Sequence, residues 1–382
     1  MRRATDAERE RLHETFAALC RIESPSGQER ACADLVAAEL RAMGLEVEED
    51  DAGPRVGSDA GNLLARIPGS GPDSILLCAH LDTVPLTAPV EPVRVDGGWT
   101  NAGEGILGAD NKTAVAVIIE LARRLTGSGP PTVGVELLFT VCEEISLLGA
   151  LAFDAGRLRS RFGYVFDHAT PIGEIVTAAP TLHRIVAEFR GRAAHAGVRP
   201  QDGRSAILAA SRAIAAMQLG RIDHETTANV GTIAGGTAIN VVPDRCRIEG
   251  EVRSVDRDRA EALATEMIDH LQDAADAGEC DLDVTVERLI EGYRIRARAA
   301  EVTVAEQALR ACGYEPTHIL TGGASDANAL RSAGFACANL ADGTEHNHEP
   351  IERISADALE GMLEVAIALV DEAGQALNGG TP

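Results

Sequence analysis

With 382 residues and 45% apolar content, the chain exceeds one ordinary domain and carries enough apolar material for two cores. A net charge of −24 argues against nucleic acid and anionic membrane as partners, since both require clustered Lys and Arg. The eight cysteines are scattered without a Cys-x-x-Cys pair, the first ten residues are charged throughout, and no run reaches the ~18 apolar residues of a membrane helix, so a soluble protein of the reducing cytoplasm is expected.

In chain order, Ser26-Gly27-Gln28-Glu29 has the pattern of a capping box. Cys32, Leu35, Val36, Leu40 and Met43 then recur at helical spacing until Gly44. Strand-like runs are predicted at 62–67, 74–79, 133–141 and 164–166, with a helix over 113–125. Apolar strands alternating with helices predict an α/β catalytic domain, a mixed sheet covered by helices on both faces. From Leu182 the order becomes strand 182–189, helix 204–217, strands 228–233 and 245–252, helix 257–272 and strand 282–289. This βαββαβ order is that of an inserted ferredoxin-like α+β lid domain. After Tyr293 the alternation resumes with helix 302–312, strands 318–320 and 335–340, and a closing helix over 355–373. The expected organisation is a discontinuous catalytic domain of residues 1–180 and 294–382, with a lid of residues 181–293.

Acids and histidines sit at the ends of these apolar runs. His80-Leu81-Asp82 follows Ile75-Leu76-Leu77-Cys78-Ala79, where a buried parallel strand ends and where sites in open α/β sheets form. Such a His-x-Asp is either a structural pair or a metal ligand whose second ring nitrogen donates to the acid. Asp110, after Gly108-Ala109, is either a helix N-cap or a carboxylate bridging two ions. Glu143-Glu144 follows the apolar strand ending at Cys142; on an extended segment the two would point opposite ways, one toward a metal and one toward water. Asp167 repeats the strand-end acid beside His168, and His346 and His348 close the set. Two His and three carboxylates can hold two divalent ions, a site suited to splitting an amide with water.

Together, in this order and spacing, these motifs resemble the dinuclear zinc metallopeptidase family of aminoacylase, carboxypeptidase G and peptidase T, over essentially the whole chain. The resemblance rests on His80-Leu81-Asp82-Thr83-Val84-Pro85, Gly108-Ala109-Asp110-Asn111-Lys112 and Glu143-Glu144. In the lid it rests on Gly191-Arg192-Ala193-Ala194-His195-Ala196-Gly197, Asn240-Val241-Val242-Pro243 and Gly250-Glu251-Val252-Arg253-Ser254. It implies two divalent metal ions, zinc first and cobalt or manganese as alternatives. His80, Asp110 and Asp167 would hold one ion, and Asp110 would bridge to a second held by Glu144 and His348. The family's His-x-x-x-Glu spacing selects His348, with Glu352, over His346. Asp82 would orient His80, Glu143 would act as general base, and His195 would stabilise the oxyanion. Asn240, Arg253 and Gly323, in the Gly322-to-Asp326 turn, would contact substrate. Without that context His195, Asn240 and Arg253 read as a cap, a turn and a surface salt bridge. The sequence departs from the family at Asn111, where a second Asp is common, and at Phe166-Asp167-His168-Ala169, a less acidic neighbourhood.

Ser24-Pro25-Ser26-Gly27, Ser325-Asp326-Ala327-Asn328-Ala329 and the ending from His348 to Glu352 resemble the peptidase T-like branch. That implies short peptides as substrates and a homodimer formed through the lid. Two alternatives share the scaffold: deacylases acting on N-acyl amino acids, and a non-catalytic peptide-binding protein, which would have no use for Glu143. A phosphate or nucleotide binder using Gly322-Gly323 is disfavoured, because no Lys follows and the chain is strongly acidic.

Overall fold

The longest apolar runs become the central strands of the sheet. In the computed structural model, which describes residues 3–378, Gly134–Thr140, Ser74–His80, Gly163–Phe166 and Cys337–Leu340 lie side by side in parallel. Leu63–Ile67 flanks them antiparallel on one side and Glu174–Ala179 on the other, giving the expected mixed sheet. Every residue of Gly134–Thr140, Gly163–Phe166 and Cys337–Leu340 is buried. A strand covered on both faces has no solvent side for polar residues, so it reads as a continuous apolar run. The pairings His80 with Thr140 and Phe166 with Leu340 bring the carboxyl ends of these strands together at one edge of the sheet.

The helix Ala109–Gly127 is buried from Ala109 to Ala122 and packs on Ser74–His80. Against it lie the helices Asp6–Cys20 and Ala356–Asn378. The first of these was not anticipated. Its apolar face (Leu12, Phe16, Ala17, Leu19) is interrupted in sequence by Arg9, Glu10 and Arg11, and it starts at a capping box in which Thr5 and Glu8 each bond the other's backbone N–H. Arg9 pairs with Glu360 and Glu364, and Arg11 with the buried Glu120, so these charges hold helices together. Lys112, the only lysine among the 382 residues, is 1% exposed. Its ammonium donates to the carbonyls of Leu19 (3.3 Å) and Ile22 (3.0 Å), at the C-terminal end of Asp6–Cys20 where a cation is favoured. A four-stranded antiparallel sheet of Thr344–Glu345, Arg353–Ser355, Gly98–Asn101 and Pro92–Val95 was also not anticipated.

By contacts the chain divides into two units: one contains the chain up to Thr177, Ile295–Ile319 and the chain from Ser325, the other Ala178–Arg294 with Leu320–Ala324. The second unit has the βαββαβ order. Thr181–Arg190 is central, between Arg245–Ser254 and Asp281–Ile290, with Thr226–Gly235 beyond Arg245–Ser254, all antiparallel. Helices Ala206–Ala216 and Arg257–Gly278 close its core through Ala209, Ala213, Leu263, Met267 and Leu271 against Ile185, Phe189 and Val252. The Gly322-Gly323 turn falls in this unit and not in the catalytic one, because the Thr321 N–H donates to Ala178 and Arg253 donates to the Gly322 carbonyl. Among the described residues no helix is long and apolar enough to cross a membrane. All eight cysteines are free thiols.

Candidate metal centre

Polar residues stand at or just beyond the carboxyl ends of the parallel strands: His80, Thr140, Asp167 and Asp342. His80 is the last residue of its strand and 1% exposed; its Nε2 lies 3.2 Å from Asp110 Oδ1 and 3.7 Å from Asp167 Oδ1. Asp110 is not an N-cap. Gly108, in the left-handed region at φ +73°, precedes the helix, and Asp110 itself has non-helical backbone angles inside the first turn. Its second oxygen, Oδ2, lies 3.2 Å from His348 Nε2 and accepts from Asn347 Nδ2 at 2.9 Å. His348 Nε2 is also 3.1 Å from Glu144 Oε2, whereas His346 approaches Glu349 at 3.9 Å. The structure therefore brings His348, and not His346, to the acids. Two groups have ligand atoms within 4.8 Å of one another: His80, Asp110 and Glu144, and His80, Glu143 and Asp167.

Asp82 does more than orient His80. The ring Nδ1 meets the Asp82 backbone carbonyl at 3.0 Å, while the carboxylate is 3.5 Å away. That carboxylate instead accepts the N–H groups of Glu143 (3.0 Å) and Glu144 (3.1 Å) and the Ser26 hydroxyl (2.7 Å). The strand ends at Thr140, and Glu143-Glu144 lies in a turn rather than on an extended segment.

Burial, reinforced by the Asp167 charge, pushes Glu143 well above the usual carboxylate range, and burial does the same to Asp167 and raises Glu144. Burial would also raise Asp110, but hydrogen bonds from His348 and His80 hold it far below. Burial works against a charged His80, yet Asp110, Asp167 and Asp82 lift it well above the usual imidazole range. Asp110 and Glu144 lift His348 to about 10. Four buried or half-buried carboxylates thus crowd two imidazoles, and Glu144 Oε1 has no hydrogen-bond partner. Crowded acid oxygens with an orphaned lone pair, beside two imidazoles, form a donor set that fits divalent cations.

A peptidase dimerisation domain matches residues 180–279, and peptidase family M28 matches residues 62–178. YqjE of Bacillus subtilis (strain 168) is 35% identical, over 95% of this chain and 98% of its own. The solved aminopeptidase PepT of Bacillus cereus ATCC 10987 is 37% identical with a TM-score of 0.88, covering 95% of this chain and 98% of that one. The chain belongs to the peptidase T-like metallopeptidases. A tripeptidase of Staphylococcus aureus subsp. aureus mu50 is similar as well, at 32% identity and TM-score 0.92, over 96% and 99% of the two chains. The protein is thus a metallopeptidase, and its His and carboxylate ligands form groups that could hold a metal ion.

Several residues of this peptidase that shape the centre carry no local signal in the sequence. Glu352, noted only for its spacing from His348, is 1% exposed and accepts the N–H groups of Leu107 (2.8 Å), Gly108 (2.7 Å) and Asp110 (2.9 Å), fixing the loop that carries Asp110. Burial pushes its carboxyl up to about 7. Asn347, the partner of Asp110, was missed. Asp326, expected in a substrate-contacting turn, is 1% exposed and bonds Thr140, so its carboxylate is shut off from solvent.

Among the lid candidates, the His195 backbone bridges to Val241, and the Asn240 carbonyl accepts from Ala196 N–H at 2.9 Å, so His195 and Asn240 are neighbours. The Arg253 fork is taken up by Glu251 (2.9 and 3.1 Å) and the Gly322 carbonyl, so within its own unit it forms a salt bridge.

Proposed function

We propose that this peptidase hydrolyses short peptides, di- or tripeptides, at two divalent cations, zinc before cobalt or manganese. The two oxygens of Asp110 carry this reading, because each faces a different imidazole, His80 on one side and His348 on the other. A carboxylate so placed would bridge one ion held with His80 and Asp167 to another held with Glu144 and His348. When bound, the cations supply Lewis acidity, drawing the pKa of a shared water toward neutrality and polarising the scissile carbonyl. Glu143 is the general base: its carboxylate takes the water's proton and returns it to the leaving amine. Burial beside Asp167 raises the Glu143 carboxyl above the usual carboxylate range, so its carboxylate is a stronger base than that of an exposed glutamate.

His195 is proposed as an oxyanion donor. Its Nδ1 accepts from the Gly197 N–H at 3.2 Å, so the neutral ring carries its proton on Nε2 and can donate there. His195→Ala is expected to lower turnover about a hundredfold without changing metal content, and unchanged turnover would return the residue to a turn. Asn240, Arg253 and Gly323 are proposed substrate contacts. The match of residues 180–279 to a peptidase dimerisation domain supports a homodimer through the lid, and eight free thiols support a reducing, cytoplasmic setting.

Chelation followed by metal add-back tests the function. Hydrolysis of di- and tripeptides should cease on exhaustive chelation and return with zinc, cobalt or manganese. Full activity after metal loss, verified by elemental analysis, overturns the reading. In the same assay, faster release from N-acetyl or N-succinyl amino acids than from peptides would move the enzyme to the deacylases. Binding of peptides without cleavage of either class would make it a peptide-binding protein.

A further inference from the structure

Ser26-Gly27-Gln28-Glu29 has the sequence of a capping box but does not cap the helix that follows. That helix is Arg30–Ala42; Glu29 stands at its N-cap position with helical backbone angles and does not cap it with its own side chain, the Arg30 N–H going instead to the Asp59 carboxylate at 2.7 Å. Both polar side chains are directed elsewhere. The Ser26 hydroxyl donates to Asp82 Oδ2 at 2.7 Å. Glu29, fully buried, accepts the Cys142 N–H at 3.0 Å and the Gly27 N–H at 2.8 Å on one oxygen, and the Ser58 hydroxyl at 2.5 Å on the other.

These bonds converge on one turn. The N–H groups of three consecutive residues, Cys142, Glu143 and Glu144, are each taken by a buried carboxylate, the first by Glu29 and the next two by Asp82. Cys142 has φ +54°, a left-handed conformation that costs a non-glycine residue on the order of 1 kcal/mol and persists only where its surroundings enforce it. The same segment is tied to the His80 strand: the Ser24 hydroxyl donates to the Leu81 carbonyl, Thr83 N–H to Ser24, and Ser26 N–H to Thr83. Ser24 to Glu29 therefore straps the loop carrying Asp82 to the turn carrying Glu143 and Glu144.

We propose that Glu29, with Ser26, is a positioning residue for hydrolysis, setting the Cys142–Glu144 turn so that Glu143 is held as base and Glu144 as ligand. This rests on the roles given to Glu143 and Glu144 above. Neither Glu29 nor Ser26 touches a cation or substrate; each acts through a backbone N–H or through Asp82. Hydrogen-bond partners that orient metal ligands from outside are worth roughly 10–100-fold in metal affinity or rate, and that is the range expected here.

The test compares Glu29→Ala, Glu29→Gln, Ser26→Ala and Glu143→Ala. It reads zinc affinity by competition with a chelator, kcat and KM on a tripeptide, and melting temperature. Glu29→Ala should weaken the more loosely held zinc and lower kcat, each roughly 10–100-fold, with KM little changed. Glu29→Gln should recover most of both, since its amide oxygen still accepts from Cys142 and its NH2 can donate to Ser58. Ser26→Ala, a small change that leaves the fold intact, should move zinc affinity and kcat in the same direction at the lower end of that range. If Ser26→Ala and whichever Glu29 variants fold match the parent in zinc affinity and kcat, with at most a lower melting temperature, the segment is merely structural and the proposal fails. A fully active Glu143→Ala would instead show that the assignment of the base has failed.

Discussion

Two places in the catalytic unit bury carboxylates, and they do so in opposite ways. Glu136, 2% exposed, receives the Arg66 guanidinium at 2.9 Å, the N–H groups of Arg159 and Ser160 and the Ser160 hydroxyl. Arg66 reaches on to Glu48, which also takes Arg157. Each negative charge there meets a permanent cation, and Glu136 has backbone donors as well, which is how a buried acid becomes part of the scaffold. At the strand ends the facing groups are different. Asp110, Glu144 and Asp167 meet the imidazoles of His80 and His348, which are neutral in the form that binds metal. Burial is similar in both places; the difference is whether the protein itself supplies the compensating charge.

The widest separation of the two clusters should come from the paired glutamates. Under the roles proposed above, Glu143→Ala removes a base and no ligand, so it should keep both cations and lose on the order of 10²–10⁴ in kcat. Glu144→Ala removes a ligand and should shed or weaken one cation before any kinetics are measured. Metal counting on the purified variants decides: the opposite pattern exchanges the roles, and two variants with full metal and full rate would place the pair among solvated acids.

In the other cluster the damage should be to stability alone. Arg66→Met leaves Glu136 buried without its guanidinium and should cost ~2 kcal/mol, between the value of an exposed pair and that of a fully buried one because Arg66 is 23% exposed. The denaturant midpoint should fall while kcat and metal content, measured well below the melting temperature, stay unchanged. A parallel loss of metal would show that the two clusters are coupled. The smallest effect is expected at Thr5→Ala, which removes half of a capping box far from either cluster. It should cost about 1 kcal/mol by the same measurement, again with no change in rate.

What the sequence disclosed depended on how locally each feature is encoded. The lid was legible because each strand carries its own alternation, as in Thr181–Arg190, and each helix its own periodic apolar face. The proposed ligands His80, Asp110, Glu144 and Asp167 drew notice because each follows an apolar run, whereas His348 follows none and rested on the family's spacing to Glu352. The helix Asp6–Cys20 was not, since Arg9 and Arg11 break the apolar pattern for partners more than a hundred residues away in Glu360 and Glu120. Ser26 and Glu29 were misread for the same reason: the local pattern is that of a cap, but their partners lie at Asp82 and Cys142. Asn347 and Glu352 act on Asp110 from the far end of the chain, and no spacing rule points to that contact.

The burial of Lys112 has a consequence for how the surface of this protein can be addressed. Its positive charges, Lys112 apart, are guanidinium groups, which hold carboxylates bidentately and are not acylated as primary amines are. An amine-directed crosslinker or acylating reagent would therefore find no lysine on the folded molecule. That lysine opens only when Asp6–Cys20 comes away from Ala109–Gly127, so acylation at Lys112, read apart from that of the α-amino group, would report unfolding of the catalytic core as a single covalent event.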